Sequence, residues 1–86
     1  MTTNLNDEFQ KKIKEISKIE NISNDNKLIL YKYYKQSTIG NININKPGFL
    51  DFQGKAKYDA WESVKDITKE LAMKEYIEKV NELTKN

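Results

Sequence analysis

The predicted fold rests on one stretch of the chain, residues 28–40, which reads LILYKYYKQSTIG. Its residues fall into two stripes at helical spacing, and one stripe joins Leu28, Tyr31 and Lys35, with Tyr34 beside it. The stripe on the opposite side consists of Ile29, Leu30 and Tyr33. A helix with two occupied faces can pack with one face and receive a ligand on the other.

This helix is predicted to begin near Asn24 and to end at Ile39, because Gly40 fits a helix stop. A later helix is predicted over roughly residues 53–65, and Thr68 is the predicted N-cap of the helix that follows it. The first helix is predicted from Leu5, Phe9, Ile13 and Ile16, at spacings of four, four and three residues. The fourth is predicted from Met73, Tyr76, Ile77, Val80 and Leu83, at spacings of three, one, three and three. We therefore predict four helices.

Residues 40–51 are predicted to form a long loop, because Pro47 and Gly48 together are a turn signal. This loop is interpreted as carrying its own hydrophobic plugs, which are Phe49, Leu50 and Phe52. Such a long connection between the second and third helices argues against a simple up-down-up-down order. The predicted fold is all-α, a four-helix bundle formed by one domain, residues 1–86.

The composition excludes several classes of function. The 86 residues include no cysteine and no histidine, which removes disulfides, thiolate zinc sites, His-metal ligation and Ser-His catalysis. All 15 basic residues are lysine, and the absence of arginine disfavours specific reading of guanine edges. The longest aliphatic run, residues 28–30, is far too short to span a membrane. We expect a soluble, cytoplasmic protein that is not an enzyme and needs no metal or cofactor.

The distribution of charge points to an anionic ligand. The net charge is only +2. However, residues 27–57 hold six lysines against a single acid, Asp51, whereas the flanking segments are acidic overall. A central basic zone of this kind suits a compact anion held by point charges.

One group of residues in the second helix carries the candidate chemistry. Tyr31 and Lys35 lie one helical turn apart, and Tyr34 is next to both. An ammonium group flanked by phenol rings suits a phosphorylated nucleotide, since each charge-assisted hydrogen bond contributes about 1.5–3 kcal/mol. Stacking of a base on an aromatic ring contributes about 1–3 kcal/mol. From these residues alone, two core tyrosines beside a solvated lysine remain an alternative.

Three segments together resemble the acyl-CoA-binding proteins. They read YKYYKQSTIG at residues 31–40, KPGFLDFQGKAKYDAW at residues 46–61 and AMKEYI at residues 72–77. The motifs are long and keep the order and spacing of the family over nearly the whole chain. The resemblance implies a four-helix bundle of the acyl-CoA-binding protein type. It also implies an intracellular carrier and pool former for medium- to long-chain fatty acyl-CoA thioesters.

The resemblance also implies roles for individual residues. Tyr31, Lys35 and Lys57 would hold the CoA head and its 3′-phosphate. Tyr34 would flank the adenine, and Tyr76 would close the site near the nucleotide and the start of the acyl chain. A wider set of ligand-binding residues is carried over as well, namely Lys12, Ile13, Lys27, Leu28, Lys32 and Tyr33. Packing and loop-shaping positions would be Pro47, Phe52, Ala56, Ala60 and Trp61. The chain departs from the family pattern at Ser17, Gln53 and Tyr58.

Two other classes of function compete with this interpretation. A helical protein-interaction module could use the tyrosine-rich second helix as a docking surface. A non-specific nucleic-acid or anionic-membrane binder could use the central lysines, and its binding would depend steeply on salt. We favour a small-molecule acyl-CoA ligand, a monomer, transient contacts with acyl-CoA-using enzymes and no nucleic-acid partner.

Overall fold

A computed structural model describes residues 4–85, which form four α-helices. Their bounds are Leu5–Ile16 (α1), Asn24–Thr38 (α2), Phe52–Glu62 (α3) and Lys69–Thr84 (α4). The described residues contain no β-strand, so the predicted all-α fold is confirmed. None of these four helices is both long and apolar enough to cross a bilayer.

Each helix is preceded by a residue whose side chain accepts a hydrogen bond from a free backbone N–H group of the first turn. The side-chain oxygen of Thr68 accepts a hydrogen bond from the Leu71 amide at 3.1 Å, which confirms the predicted cap of α4. Asp51 caps α3 by accepting from the Gly54 amide at 3.0 Å. The N-caps of α1 and α2 are Asn4 and Ser23.

The third helix differs from its prediction at both ends. It begins at Phe52, directly after the Asp51 cap, and it ends at Glu62, whereas the prediction was residues 53–65. Beyond Glu62 the hydrogen bonds tighten to i→i+3, and Asp66 has a left-handed φ of 74°. Regular helix cannot continue through such a turn.

The packing of the helices departs from an up-down-up-down order. Among the described residues, α4 packs against both α1 and α2, and α2 also packs against α3. The core therefore lies where α4 meets α1 and α2, and it consists of Phe9, Leu30, Tyr76, Ile77 and Val80. Trp61 and Val64 are buried at the end of α3.

The prediction that three apolar side chains of the loop act as hydrophobic plugs is wrong. Phe49, Leu50 and Phe52 are 80%, 74% and 75% exposed. The Asp51 amide donates to the Gly48 carbonyl at 3.0 Å, and this turn places Phe49 and Leu50 at its tip, away from the bundle. Phe52 is the first residue of α3, where its side chain also remains largely in solvent. It is therefore not a packing position.

Candidate functional site

Tyr31 lies at the centre of a group of positively charged side chains. The Nζ atom of Lys35 lies 5.9 Å from the centroid of the Tyr31 ring, and the Nζ atom of Lys57 lies 5.6 Å from the same centroid. Lys35 also lies over Trp61, with 5.4 Å between its Nζ atom and the ring centroid. These distances are within the range of cation–π attraction, so the Tyr31 ring attracts both ammonium groups.

The ammonium groups of Lys35 and Lys57 are not neutralised by nearby carboxylates. Neither lysine belongs to an ion pair within residues 4–85. The pairs found there are Lys12–Glu15 and Lys79–Glu82. Two positive charges held only by rings can form charge-assisted hydrogen bonds to an anion without first breaking a salt bridge.

Two clefts share Lys27 and Tyr31 as a common wall. The larger cleft, of about 430 Å³, lies between α2 and α3, and its apolar lining is Leu28, Phe52 and Ala56. The smaller cleft, of about 340 Å³, lies between the end of α1, α2 and α4. Both volumes fall within the range of small-molecule sites. The structure thus brings Lys27, Leu28, Tyr31 and Lys57 to one cleft.

Two aromatic rings that line the smaller cleft, those of Tyr34 and Tyr76, pack against the fully buried ring of Phe9. The ring of Phe9 lies edge-on to Tyr76 at 5.0 Å between centroids, and it is stacked with Tyr34 at 6.2 Å. Tyr76 is buried, whereas 40% of Tyr34 is exposed. Burial raises the pKa of the Tyr76 phenol, and the neighbouring Tyr34 raises it further. Tyr34 therefore offers an aromatic surface to the cleft, and Tyr76 supports it from behind as an uncharged phenol.

A polar network lies behind Lys35 and connects the end of α2 to the turn before α4. The buried Gln36 amide donates to the Asn41 side chain at 2.9 Å and to the Ile67 carbonyl at 2.8 Å. Asn41 in turn accepts from the Asp66 amide at 2.7 Å. This network fixes the helical turn from which Lys35 projects.

The indole of Trp61 completes the support of Lys35. Its Nε1–H group donates to the Gly40 carbonyl at 2.9 Å, which ties the ring to the turn that follows α2. Sequence reasoning assigned Trp61 to packing alone and did not find Gln36. The relevant contacts join residues far apart in the chain, which helical periodicity does not reveal.

The α1 residues of the wider set occupy other places. The Nζ atom of Lys12 lies 3.4 Å from the carboxylate of Glu15, and Ile13 packs against the core. The apolar residues that line the smaller cleft on this side are Ile16 and Ile22. Neither was among the predicted site residues, although Ile16 belongs to the predicted apolar stripe of α1.

Lys32 and Tyr33 lie on the other side of α2. They line a separate cleft of about 590 Å³ between α2 and α4, together with Glu75. The Nζ atom of Lys32 lies 5.2 Å from the centroid of the Tyr33 ring. Burial, and secondarily the charge of Glu75, raises the pKa of Tyr33. The structure does not bring these two residues together with Tyr31, Lys35 and Lys57.

Comparison with known proteins identifies the family of this chain. A family model described as "Acyl CoA binding protein" matches residues 6–80. The acyl-CoA-binding protein of Fritillaria agrestis is 45% identical over 80 residues, which cover 92% of each chain. Acyl-CoA-binding domain-containing protein 3 of Oryza sativa subsp. japonica is 44% identical over 77 residues, and these cover 90% of this chain but 48% of that protein. The chain therefore spans about half the length of this rice relative.

A solved structure agrees with the sequence comparisons. The crystal structure of Oryza sativa acyl-CoA-binding protein 2 superposes with a TM-score of 0.88 at 38% identity, covering 93% of this chain and 90% of that chain. The resemblance inferred from the three sequence motifs is confirmed. Since the family model matches most of the described residues and the four-helix architecture is shared, this chain belongs to the acyl-CoA-binding protein family.

Proposed function

We propose that this chain binds medium- to long-chain fatty acyl-CoA thioesters and acts as their intracellular carrier and pool former. The observation that carries the proposal is the convergence of two ammonium groups on the Tyr31 ring, at 5.6 and 5.9 Å, beside clefts with apolar walls. Membership of the family supports the class of ligand.

The CoA head is assigned to the positively charged group around Tyr31. Lys35 and Lys57 hold the 3′-phosphate with their ammonium groups, and Tyr31, whose ring centroid lies within 6 Å of both, adds its phenol as a third donor. Charge-assisted hydrogen bonds of this kind contribute about 1.5–3 kcal/mol each. The adenine stacks on the exposed part of Tyr34, in the smaller cleft closed at its base by Tyr76.

The acyl chain is assigned to the apolar part of the larger cleft. Leu28, Phe52 and Ala56 line it, and Lys27 stands at the wall shared with the smaller cleft. Each buried methylene contributes about 0.8 kcal/mol, so a dozen methylenes rival the whole head. Immobilising the ligand costs several kcal/mol. Head and tail must therefore both bind before the complex is tight.

The test is a calorimetric titration of the chain with palmitoyl-CoA, free CoA and palmitate. The thioester is expected to bind far more tightly than either part, since each part loses one half of the contacts but still pays for immobilisation. A dissociation constant for palmitate equal to that for palmitoyl-CoA would contradict the proposal. Native mass spectrometry of protein purified from cells provides a second test, because an acyl-CoA adduct is expected to co-purify.

The proposal extends to the manner in which the chain works. A carrier needs no general base, because it only shelters the thioester and releases it to enzymes that use acyl-CoA. We accordingly propose a monomeric, cytoplasmic binding protein that acts as one domain and performs no catalysis. Incubation with palmitoyl-CoA is expected to leave the thioester intact, as judged by the absence of free thiol.

A further inference from the structure

Three large apolar side chains form a ridge beside the larger cleft. This apolar ridge consists of Phe49, Leu50 and Phe52, and each of them exposes about three-quarters or more of its surface. Other exposed apolar residues of the described chain, such as Leu71 at 45%, are less exposed, and they are at least five positions apart in the sequence. A contiguous apolar group of this kind is a mark of an interaction surface.

A backbone turn places two residues of the ridge in solvent. The hydrogen bond from the Asp51 amide to the Gly48 carbonyl closes a four-residue turn, and the two tip positions are Phe49 and Leu50. Such positions are usually occupied by glycine, proline, asparagine or aspartate. A turn that carries phenylalanine and leucine at its tip presents apolar surface to solvent, and the closed backbone of the turn keeps these side chains exposed.

The surroundings of the ridge are positively charged. Lys46 and Lys55 flank it in sequence, and both are exposed. Phe52 also lines the larger cleft, where Lys27 and Lys57 lie. The acid within this segment is Asp51, and its carboxylate is engaged in capping α3. Apolar side chains surrounded by lysines match the chemistry of a bilayer surface that contains anionic lipids.

We propose that the apolar ridge docks this chain on anionic lipid bilayers. Phe49 and Leu50 enter the boundary between headgroups and acyl chains, while Lys46 and Lys55 contact lipid phosphates. A second copy of the chain is disfavoured as the occupant, since it would bring the same lysines against one another. Because Phe52 belongs to both features, docking brings the larger cleft to the bilayer surface.

The proposal is tested by sedimentation of the chain with vesicles that contain no acyl-CoA. Binding is expected on phosphatidylcholine vesicles that include phosphatidylserine, and it is expected to weaken with salt. The double variant Phe49→Ser/Leu50→Ser should partition at least about 100-fold less, given the transfer free energies of these side chains. Its matched control is Leu71→Ser, which removes an exposed leucine of α4 and should bind vesicles as the wild type does.

The electrostatic part is tested separately. Lys46→Gln/Lys55→Gln should lower partitioning by about 10- to 30-fold, because each lysine near an anionic surface contributes about 1 kcal/mol. Lys11→Gln/Lys14→Gln removes the same charge from exposed positions of α1 and should have a much smaller effect. Circular dichroism of all variants should match the wild type, since every replaced side chain is exposed.

Insertion itself has a direct readout. The only tryptophan of the chain, Trp61, is buried, so Phe49→Trp adds a fluorophore whose signal can be separated by subtraction. Its emission should shift to the blue on anionic vesicles and be quenched by brominated lipid chains. The proposal is overturned if the wild type does not bind, if the ridge variant binds equally well, or if Phe49→Trp is not quenched. Concentration-dependent dimerisation that the ridge variant abolishes would assign the ridge to a second copy instead.

The vesicle experiment is independent of the acyl-CoA proposal. Neither Phe49 nor Leu50 lines the larger cleft, so Phe49→Ser/Leu50→Ser should titrate with palmitoyl-CoA as the wild type does. Loss of vesicle binding with intact palmitoyl-CoA binding supports both proposals. Failure of palmitoyl-CoA to bind the wild type would refute the carrier proposal alone.

Discussion

Replacing Lys35 with methionine separates the charge of this side chain from the packing of its stem. We expect Lys35→Met to weaken palmitoyl-CoA binding by about 10- to 100-fold, because a charge-assisted hydrogen bond contributes about 1.5–3 kcal/mol. The ammonium group lies over two rings, Tyr31 at 5.9 Å and Trp61 at 5.4 Å, and neither ring can replace a phosphate contact.

The two cation–π contacts of Lys35 also contribute to the free energy of unfolding of the ligand-free protein. Each cation–π contact of an accessible lysine contributes about 0.5–1 kcal/mol, so Lys35→Met should lose about 1–2 kcal/mol of the free energy of unfolding. For a domain of this size, each kcal/mol lowers the melting temperature by about 4–8 °C. The variant should thus remain folded at 25 °C, and its weaker binding can be read as a loss of contact with the ligand.

A pair of ligands identifies the contacted group. Wild type and variant are titrated by calorimetry with palmitoyl-CoA and with its 3′-dephospho analogue. If Lys35 holds the 3′-phosphate, the substitution weakens binding of palmitoyl-CoA but barely changes binding of the analogue. Lys74→Met, which removes an equal charge from an exposed position of α4, serves as the control. Equal losses for both ligands, or an equal loss in the control, would refute the assignment.

Three further predictions concern α2 and α4. Lys32→Met should leave palmitoyl-CoA affinity unchanged in the same titration, because Lys32 lines the cleft on the other side of α2. Gln36→Met should lower the free energy of unfolding in urea by about 1 kcal/mol, since it removes two hydrogen bonds and leaves the part-buried Ile67 carbonyl without that donor, while it also removes the buried Gln36 Oε1 atom, which accepts no hydrogen bond from the described residues; a loss below about 0.5 kcal/mol would contradict the role of the network. Burial and the adjacent Tyr34 raise the pKa of Tyr76 above the ordinary value of 10.0, so the folded chain keeps a proton that the unfolded chain releases. The contribution of this phenol to stability is therefore fully present below a pH of about 10 and is lost as the pH rises above it. Tyr76→Phe should reduce the decline of the free energy of unfolding with pH, measured in urea between about pH 9 and about pH 11.

Local signals in the sequence predicted much of the fold. Gly40 was predicted to stop α2, and it has a φ of 101°, a conformation that side chains with a Cβ atom rarely adopt. Thr68 was predicted to cap α4, and its side chain does so. Both predictions depend on a residue and its immediate neighbours, which is the information that one sequence contains.

Positions in space were harder to predict. Phe49 and Leu50 were interpreted as plugs because they are apolar, but apolar residues are not all buried, and the turn directs these two outward. Tyr33 is two residues from Tyr31, a rotation of about 200° around a helix, so the two face different clefts. The support of Lys35 by Trp61 required knowledge of how α3 packs on α2.

The position of α4 in the chain has a consequence for synthesis on the ribosome. The contact of Phe9 with Tyr76 joins the first helix to the fourth, and α4 separately packs on α2. A nascent chain has made α1 and α2 long before its partner helix exists, and 12 residues of α1 are too few for a stable isolated helix in water. We therefore expect the emerging polypeptide to stay open until α4 has left the exit tunnel, and then to fold in a single late event.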